Sequence, residues 1–213
     1  MTQKIGIIDY GLSNLLSIYR AFAHVGAEVS IITEAKSVSG MDKIVLPGVG
    51  SFPDGMKLLH DLGFVAPLIG HAAAGKPFLG VCLGMQMMLS RGFEMEETPG
   101  LNLIPGDVLP LPALDAAGKP NRIPHVGWEF LREPEHGRWK ETPLSEHAEV
   151  HPFYFVHSYY ARPEHTAHVW AEADFAGFKF AAAVRNGLVF GTQFHPEKSG
   201  SQGLELLHQF VTL

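Results

Sequence analysis

Residues 76–90 limit what this chain can fold into more than any other stretch. Behind a turn at Gly75, Lys76 and Pro77 comes the apolar run Phe78, Leu79, Gly80, Val81. It reads as a buried strand. The stretch ends on good helix formers, Met85, Gln86, Met87, Met88 and Leu89, which predict a helix. Between the two stands Cys82, with Gly80 and Gly84 two residues away on either side. A free cysteine is by default a small buried hydrophobe. Here the glycine pair points instead to a strand–nucleophile–helix elbow, where the backbone turns so sharply that neighbouring side chains would collide. A helix starting beside the sulfur favours a thiolate. The N–H groups of Leu83 and Gly84 are placed to help hold an oxyanion.

The rest of the chain supplies a sheet for such an elbow. Residues 4–8 form a β-branched apolar run, read as a first strand. Residues 12–24 carry apolar side chains at helical spacing, with Ser13 or Asn14 as candidate caps, and residues 27–33 read as a second strand. This β-α-β opening argues for a parallel sheet with a right-handed crossover. Residues 42–46 form another strand, which runs into Pro47, Gly48, Val49 and Gly50. A glycine loop at a strand end is by default a turn, but ahead of a cysteine elbow it is a candidate second oxyanion donor. Helices follow at residues 54–62 and 65–74.

The prolines between residues 98 and 125 break that stretch into irregular pieces, with short antiparallel segments at 102–109 and 119–124. Later runs at 169–172, 178–185 and 188–193 read as antiparallel strands, with a hairpin at Gly187 and a closing helix over 203–211. The expectation is an α/β fold with an open, mainly parallel sheet flanked by helices and extended by antiparallel strands. No linker or repeat divides it, so residues 1–213 are expected to form a single domain.

Composition narrows the function classes. The 16 basic residues face 22 acidic ones, and no basic block stands out, so nucleic acid is not an expected partner. The first apolar run is too short for a secretory signal, and the longest is too short to span a bilayer, so a soluble cytoplasmic protein is expected. A single cysteine cannot make an internal disulfide and fits a reducing compartment. The histidines are scattered and no second cysteine exists, so neither a metal site nor a cofactor is expected.

A cysteine nucleophile needs a base, usually histidine, and the histidine needs an orienter. Of the 12 histidines, His195 is singled out because it lies just past a strand end and is followed by Pro196 and Glu197. Alternation along an extended segment puts His195 and Glu197 on one face. Cys82, His195 and Glu197 then make an acyl-transfer triad by role.

Gly80, Cys82, Gly84 and Gln86, followed far downstream by Gln193, Phe194, His195, Pro196 and Glu197, resemble the class I (triad) glutamine amidotransferases. Further segments extend the likeness: Asp9, Tyr10, Gly11 and Asn14; Pro47 to Gly50; Pro124, His125, Gly127 and Trp128; and Tyr154 to Tyr159. Within that family the pattern is similar to the glutaminase subunits of imidazole glycerol phosphate synthases. The resemblance implies that Cys82 attacks the side-chain amide of glutamine, His195 moves protons and Glu197 orients it. It implies substrate contacts from Gln86, from the Gly48, Val49 and Gly50 loop, and from His157, Ser158 and Tyr159. The oxyanion would be held by N–H groups at Leu83 and around Val49, the latter misoriented until a partner binds. That partner would be a (β/α)₈-barrel cyclase, which receives the ammonia through an internal channel. In two places the chain departs from the histidine-pathway pattern, with Ser13 in place of Gly and Glu129 in place of Asn. Both fall in segments expected to face the partner, so a paralogous glutaminase feeding another synthase, such as one that amidinates surface sugars, stays open.

Overall fold

The computed structural model describes residues 3–135, 137–140, 142–144 and 149–213. The first apolar runs are the strands β1 (Ile5–Ile8), β2 (Val29–Ile32), β3 (Lys43–Gly48) and β4 (Phe78–Cys82). They pair in parallel in the order β2-β1-β3-β4. Strand alternation sorts their side chains into two cores. Ile5, Ile7, Val45, Leu79 and Val81 face one layer, packed with Ile18 and Phe22 of helix α1 (Leu15–His24) and Leu206 and Phe210 of helix α5 (Gly200–Thr212). Ile8, Ile44, Leu46 and Phe78 face the other, against helices α2 (Phe52–Asp61) and α3 (Val65–Ala73). Phe22 meets Phe210 edge-on at 6.4 Å between ring centroids. Each fully buried aromatic of this kind contributes about 2 kcal/mol through apolar area removed from water.

The remaining strands are β5 (Leu89–Gly92), β6 (Thr98–Pro99), β7 (Ile104–Pro110), β8 (His125–Phe130), β9 (Pro152–His157), β10 (Tyr159–Pro163), β11 (Val169–Phe175), β12 (Phe178–Asn186) and β13 (Val189–Thr192). Among the described residues the large sheet runs β2-β1-β3-β4-β13-β12-β10-β7-β5-β6, with β11 on β12, while β8 and β9 form a separate antiparallel ribbon. No helix among these residues is long and apolar enough to cross a membrane.

One pairing matters most. β13 is antiparallel to β12 but parallel to β4, with Thr192 beside Val81 and, on the other flank, Gly48 beside Cys82. The carboxyl ends of β3, β4 and β13 therefore emerge side by side, at the edge where open α/β sheets gather their sites.

Several local expectations change. The helix expected from residue 12 starts at Leu15. Asn14 occupies the cap position, but its side chain accepts from the Ser17 hydroxyl at 3.0 Å instead of capping the backbone. β3 runs on to Gly48, into the expected loop. The helix after Cys82 lasts five residues, Leu83–Met87 (α4), and not to Leu89. Leu89 pairs with Ile104 and Arg91 with Asp107, so a sheet contact overrides the helix propensity. Residues 119–124 form no strand beyond a single bridge from Leu114 to Pro120.

Candidate active site

Cys82 ends β4 and opens α4 with φ 55° and ψ −111°, outside the regions comfortable for a side-chain-bearing residue. The surrounding backbone imposes that strain. A Cβ on Gly84 would overlap the Leu46 carbonyl oxygen, and one on Gly80 would overlap the Met88 sulfur. Glycine at 84 lets the elbow seat this close to β3, and glycine at 80 lets α4 pack down on β4. The sulfur then sits at the start of α4, whose first N–H groups have no acceptor within the helix.

His195 follows β13. Its backbone N–H donates to the Tyr154 carbonyl at 2.9 Å, and its own carbonyl accepts from the Ser199 hydroxyl at 2.6 Å. The His195 Nδ1–H donates to Glu197 Oε1 at 2.9 Å, with both side chains almost wholly buried. This contact is made across a 3₁₀ turn, Pro196–Lys198, and not by the extended alternation expected from the sequence. α5 presses on that turn so tightly that a Cβ on Gly203 would overlap the Pro196 carbonyl oxygen. The remaining ring nitrogen, Nε2, is buried and has no hydrogen-bond partner among the described residues, while the nearby Cys82 sulfur acts on the ring electrostatically. Burial acts to lower the His195 pKa. The Cys82 sulfur and Glu197 outweigh it and lift the value from 6.5 to about 10. A thiol group and a strongly basic imidazole, backed by a carboxylate, form a nucleophile with its own proton carrier.

Cys82 and His195 border a cavity of about 270 Å³. Val49, Gly50, Cys82, Leu83, Gln86, His157, Ser158 and Tyr159 line it, as does His195. Gly48 does not. It lies behind the elbow, in a narrow crevice shared with Glu197. Glu94, Pro124 and Val156 also line the cavity; Pro124 and Val156 fall in segments that carry the family likeness, but the sequence singles out none of the three as a site residue. Glu94 sits in a stretch that reads only as polar, and its Oε2 accepts the Phe52 N–H at 2.7 Å at the start of α2. Tyr10 places a buried hydroxyl beside Gly48 with no partner, and burial together with Cys82 raises its pKa.

The Tyr159 carbonyl fixes the polarity of the polar wall. A carbonyl can only accept, and it receives His157 Nδ1 at 2.8 Å and Gln86 Nε2 at 3.0 Å. Burial pulls the His157 pKa down to about 4, so the ring is neutral at pH 7 and its Nε2 is an acceptor. That nitrogen meets His125 Nδ1 at 3.2 Å, and His125 Nε2 meets Glu129 Oε1 at 3.1 Å. Glu129, the departure from the family pattern, therefore closes a buried histidine pair.

The glutamine amidotransferase class-I family model matches residues 6–213, and the chain belongs to that family. It is 42% identical to the imidazole glycerol phosphate synthase subunit HisH 1 of Legionella pneumophila (strain Paris), over 99% of this chain and all of that one. It is 43% identical to the HisH subunit of Methanothermobacter thermautotrophicus over 98% of both chains. Among solved structures, PurLQS from Thermotoga maritima superposes with a TM-score of 0.74 at 21% identity, covering 100% of this chain and 98% of that one, a likeness of fold.

Proposed function

We propose that this chain is the glutaminase subunit of an imidazole glycerol phosphate synthase, hydrolysing glutamine and passing ammonia to a cyclase in histidine biosynthesis. What carries the reading is the Cys82–His195–Glu197 arrangement in a chain matched along its length by subunits of that name.

The geometry supports the following steps. Cys82 Sγ, as thiolate, attacks the side-chain carbonyl carbon of glutamine. The C–N bond breaks, and the His195 imidazolium gives its Nε2 proton to the departing ammonia. Water, deprotonated by His195, then attacks the thioester, glutamate leaves, and the thiolate–imidazolium pair is restored. The Leu83 N–H faces the developing oxyanion. Gln86 and Glu94 offer acceptors to the α-ammonium group, and the backbone from His157 to Tyr159 frames the other wall.

A partner subunit belongs in this scheme because free ammonia would be protonated in water. The outer face of the β8–β9 ribbon supports the partner. Val126, Trp128 and Phe130 stand exposed there, next to the cavity-lining Pro124. An apolar edge of this kind marks a docking surface, and we assign it to a (β/α)₈-barrel cyclase. A reactive single thiol is served by the reducing cytoplasm, where we place the protein.

Glu129 and Ser13, the two departures from the histidine-pathway pattern, favour one second reading, a glutaminase serving a different synthase. The test uses Cys82→Ala in complex with the cyclase of the same organism. Glutamine-dependent synthesis is lost and ammonia-dependent synthesis is kept. Equal loss of both would refute the division of labour, and no synthesis with the wild-type pair would turn the assignment to the second reading.

A further inference from the structure

Gln193 is a buried polar side chain beside Cys82 that the proposed mechanism does not use. Gln193 is wholly buried between β13 and His195, and it bridges the two working parts of the site. Gln86 Nε2 donates to Gln193 Oε1 at 2.9 Å, and Gln193 Nε2 approaches Cys82 Sγ at 3.7 Å. The amide orientations are not free choices. Tyr159 O requires a donor, so the nitrogen of Gln86 faces it. The second hydrogen of that nitrogen requires an acceptor, so the oxygen of Gln193 faces Gln86. The remaining end of Gln193, its N–H, must then point at the sulfur. The same chain commits both amide hydrogens of Gln86 and turns its Oε1 toward the cavity.

We propose that Gln193 is a positioning residue with two effects: it donates to the Cys82 thiolate, and it holds Gln86 with its acceptor oxygen toward the substrate. The proposal rests on the glutaminase reading and adds to it a hydrogen-bonded link between nucleophile and substrate pocket. A donor to a charged sulfur is a charge-assisted hydrogen bond, and losing one costs roughly ten- to a hundredfold in rate.

Two substitutions separate the effects. Gln193→Glu keeps an acceptor for Gln86 but replaces the N–H facing sulfur by an oxygen. In the complex with the cyclase, kcat falls at least about tenfold while KM for glutamine stays within about twofold. Gln193→Met, similar in volume, removes both contacts, so kcat falls and KM rises about fivefold or more. Because the chain has one cysteine, iodoacetamide labelling of the free subunit reads Cys82 alone. Its rate at neutral pH falls about tenfold in both variants. Thermal melts establish folding, and if Gln193→Glu does not fold, Gln193→Met decides through labelling and KM. Wild-type labelling rates in a folded variant would overturn the proposal, as would an unchanged KM in Gln193→Met. A wild-type complex without glutaminase activity would sink the functional reading instead, and the labelling experiment would still judge Gln193.

Discussion

The Val49 N–H donates to the Leu12 carbonyl at 2.9 Å. Val49 borders the cavity beside Cys82, yet its N–H is committed to the segment ahead of α1 and is not free for an oxyanion. In the proposed reaction the oxyanion is then left to the elbow N–H groups of Leu83 and Gly84. For Val49 to serve an oxyanion, the Gly48–Val49 peptide would have to rotate, and the neighbouring Gly50, with φ at +109°, lets the loop absorb that change. Gly50→Ala has open space for its methyl group, the nearest atom being Leu12 Cδ1 at 3.7 Å, so its penalty is conformational. We expect partner-stimulated kcat to fall about tenfold or more, with KM little changed. Steady-state kinetics on the complex checks this, and wild-type kcat would contradict it.

Gly84→Ala meets a different obstacle. Its methyl group would overlap the backbone oxygen of Leu46, which β3 cannot move without breaking its pairing with β4. Denaturant unfolding should show a loss of about 3 kcal/mol or more, or no folded protein. A loss under about 1 kcal/mol would mean that the elbow is looser than described.

Glu197 is one of the two groups that raise the His195 pKa against burial, Cys82 being the other. Glu197→Gln removes that charge, so the imidazolium is less favoured and the ring is less well oriented. We expect kcat to fall by about 10² or more, with the ionisation of His195 moving down from about 10. The pH dependence of Cys82 labelling in both proteins tests the direction.

His157 gives a pH prediction for stability. Burial lowers its folded pKa from 6.5 to about 4. Between those values the unfolded chain binds a proton that the folded chain refuses. The contribution of His157 is therefore present above pH 6.5 and is lost as pH falls toward 4. Nitrogen NMR at pH 6 should find a neutral ring protonated on Nδ1, the tautomer that the Tyr159 carbonyl requires. A charged ring at that pH would contradict the polarity assigned to the whole wall.

Lys43 is buried on β3, and its ammonium donates to the carbonyls of Phe210, Val211 and Leu213 at 2.8, 2.6 and 3.1 Å. It thus closes the carboxyl end of α5, the helix that presses on the His195–Glu197 turn. Lys43→Met should cost about 1–3 kcal/mol in denaturant unfolding, because the carbonyls lose their donors. It should also weaken glutaminase activity without any contact with substrate.

The chemistry was legible in the sequence where it depends on neighbours in the chain. Gly80, Cys82 and Gly84 announce the elbow, and His195 to Glu197 announce the proton carrier. The parallel opening of the sheet followed from the alternation of strand and helix patterns. What stayed hidden depends on residues distant in the chain. Gln193 reads as the tail of a strand until β13 lies beside β4 and brings it to Gln86. His125 and His157 meet only through the β8–β9 ribbon, and Glu129 gains its meaning from that meeting. The length of α4 was missed because the contact between Leu89 and Ile104 outweighs a run of helix formers.

The most direct test is glutamate release from glutamine, measured for this chain alone and with the barrel cyclase of its organism plus the nucleotide ligand of that enzyme. With Val49 committed to Leu12, the free subunit should turn over slowly, and the assembled complex should be faster by about 10² or more, the usual worth of an oxyanion donor. Full activity in the free subunit would contradict the account of the loop, and a complex no faster than the free subunit would contradict the partner.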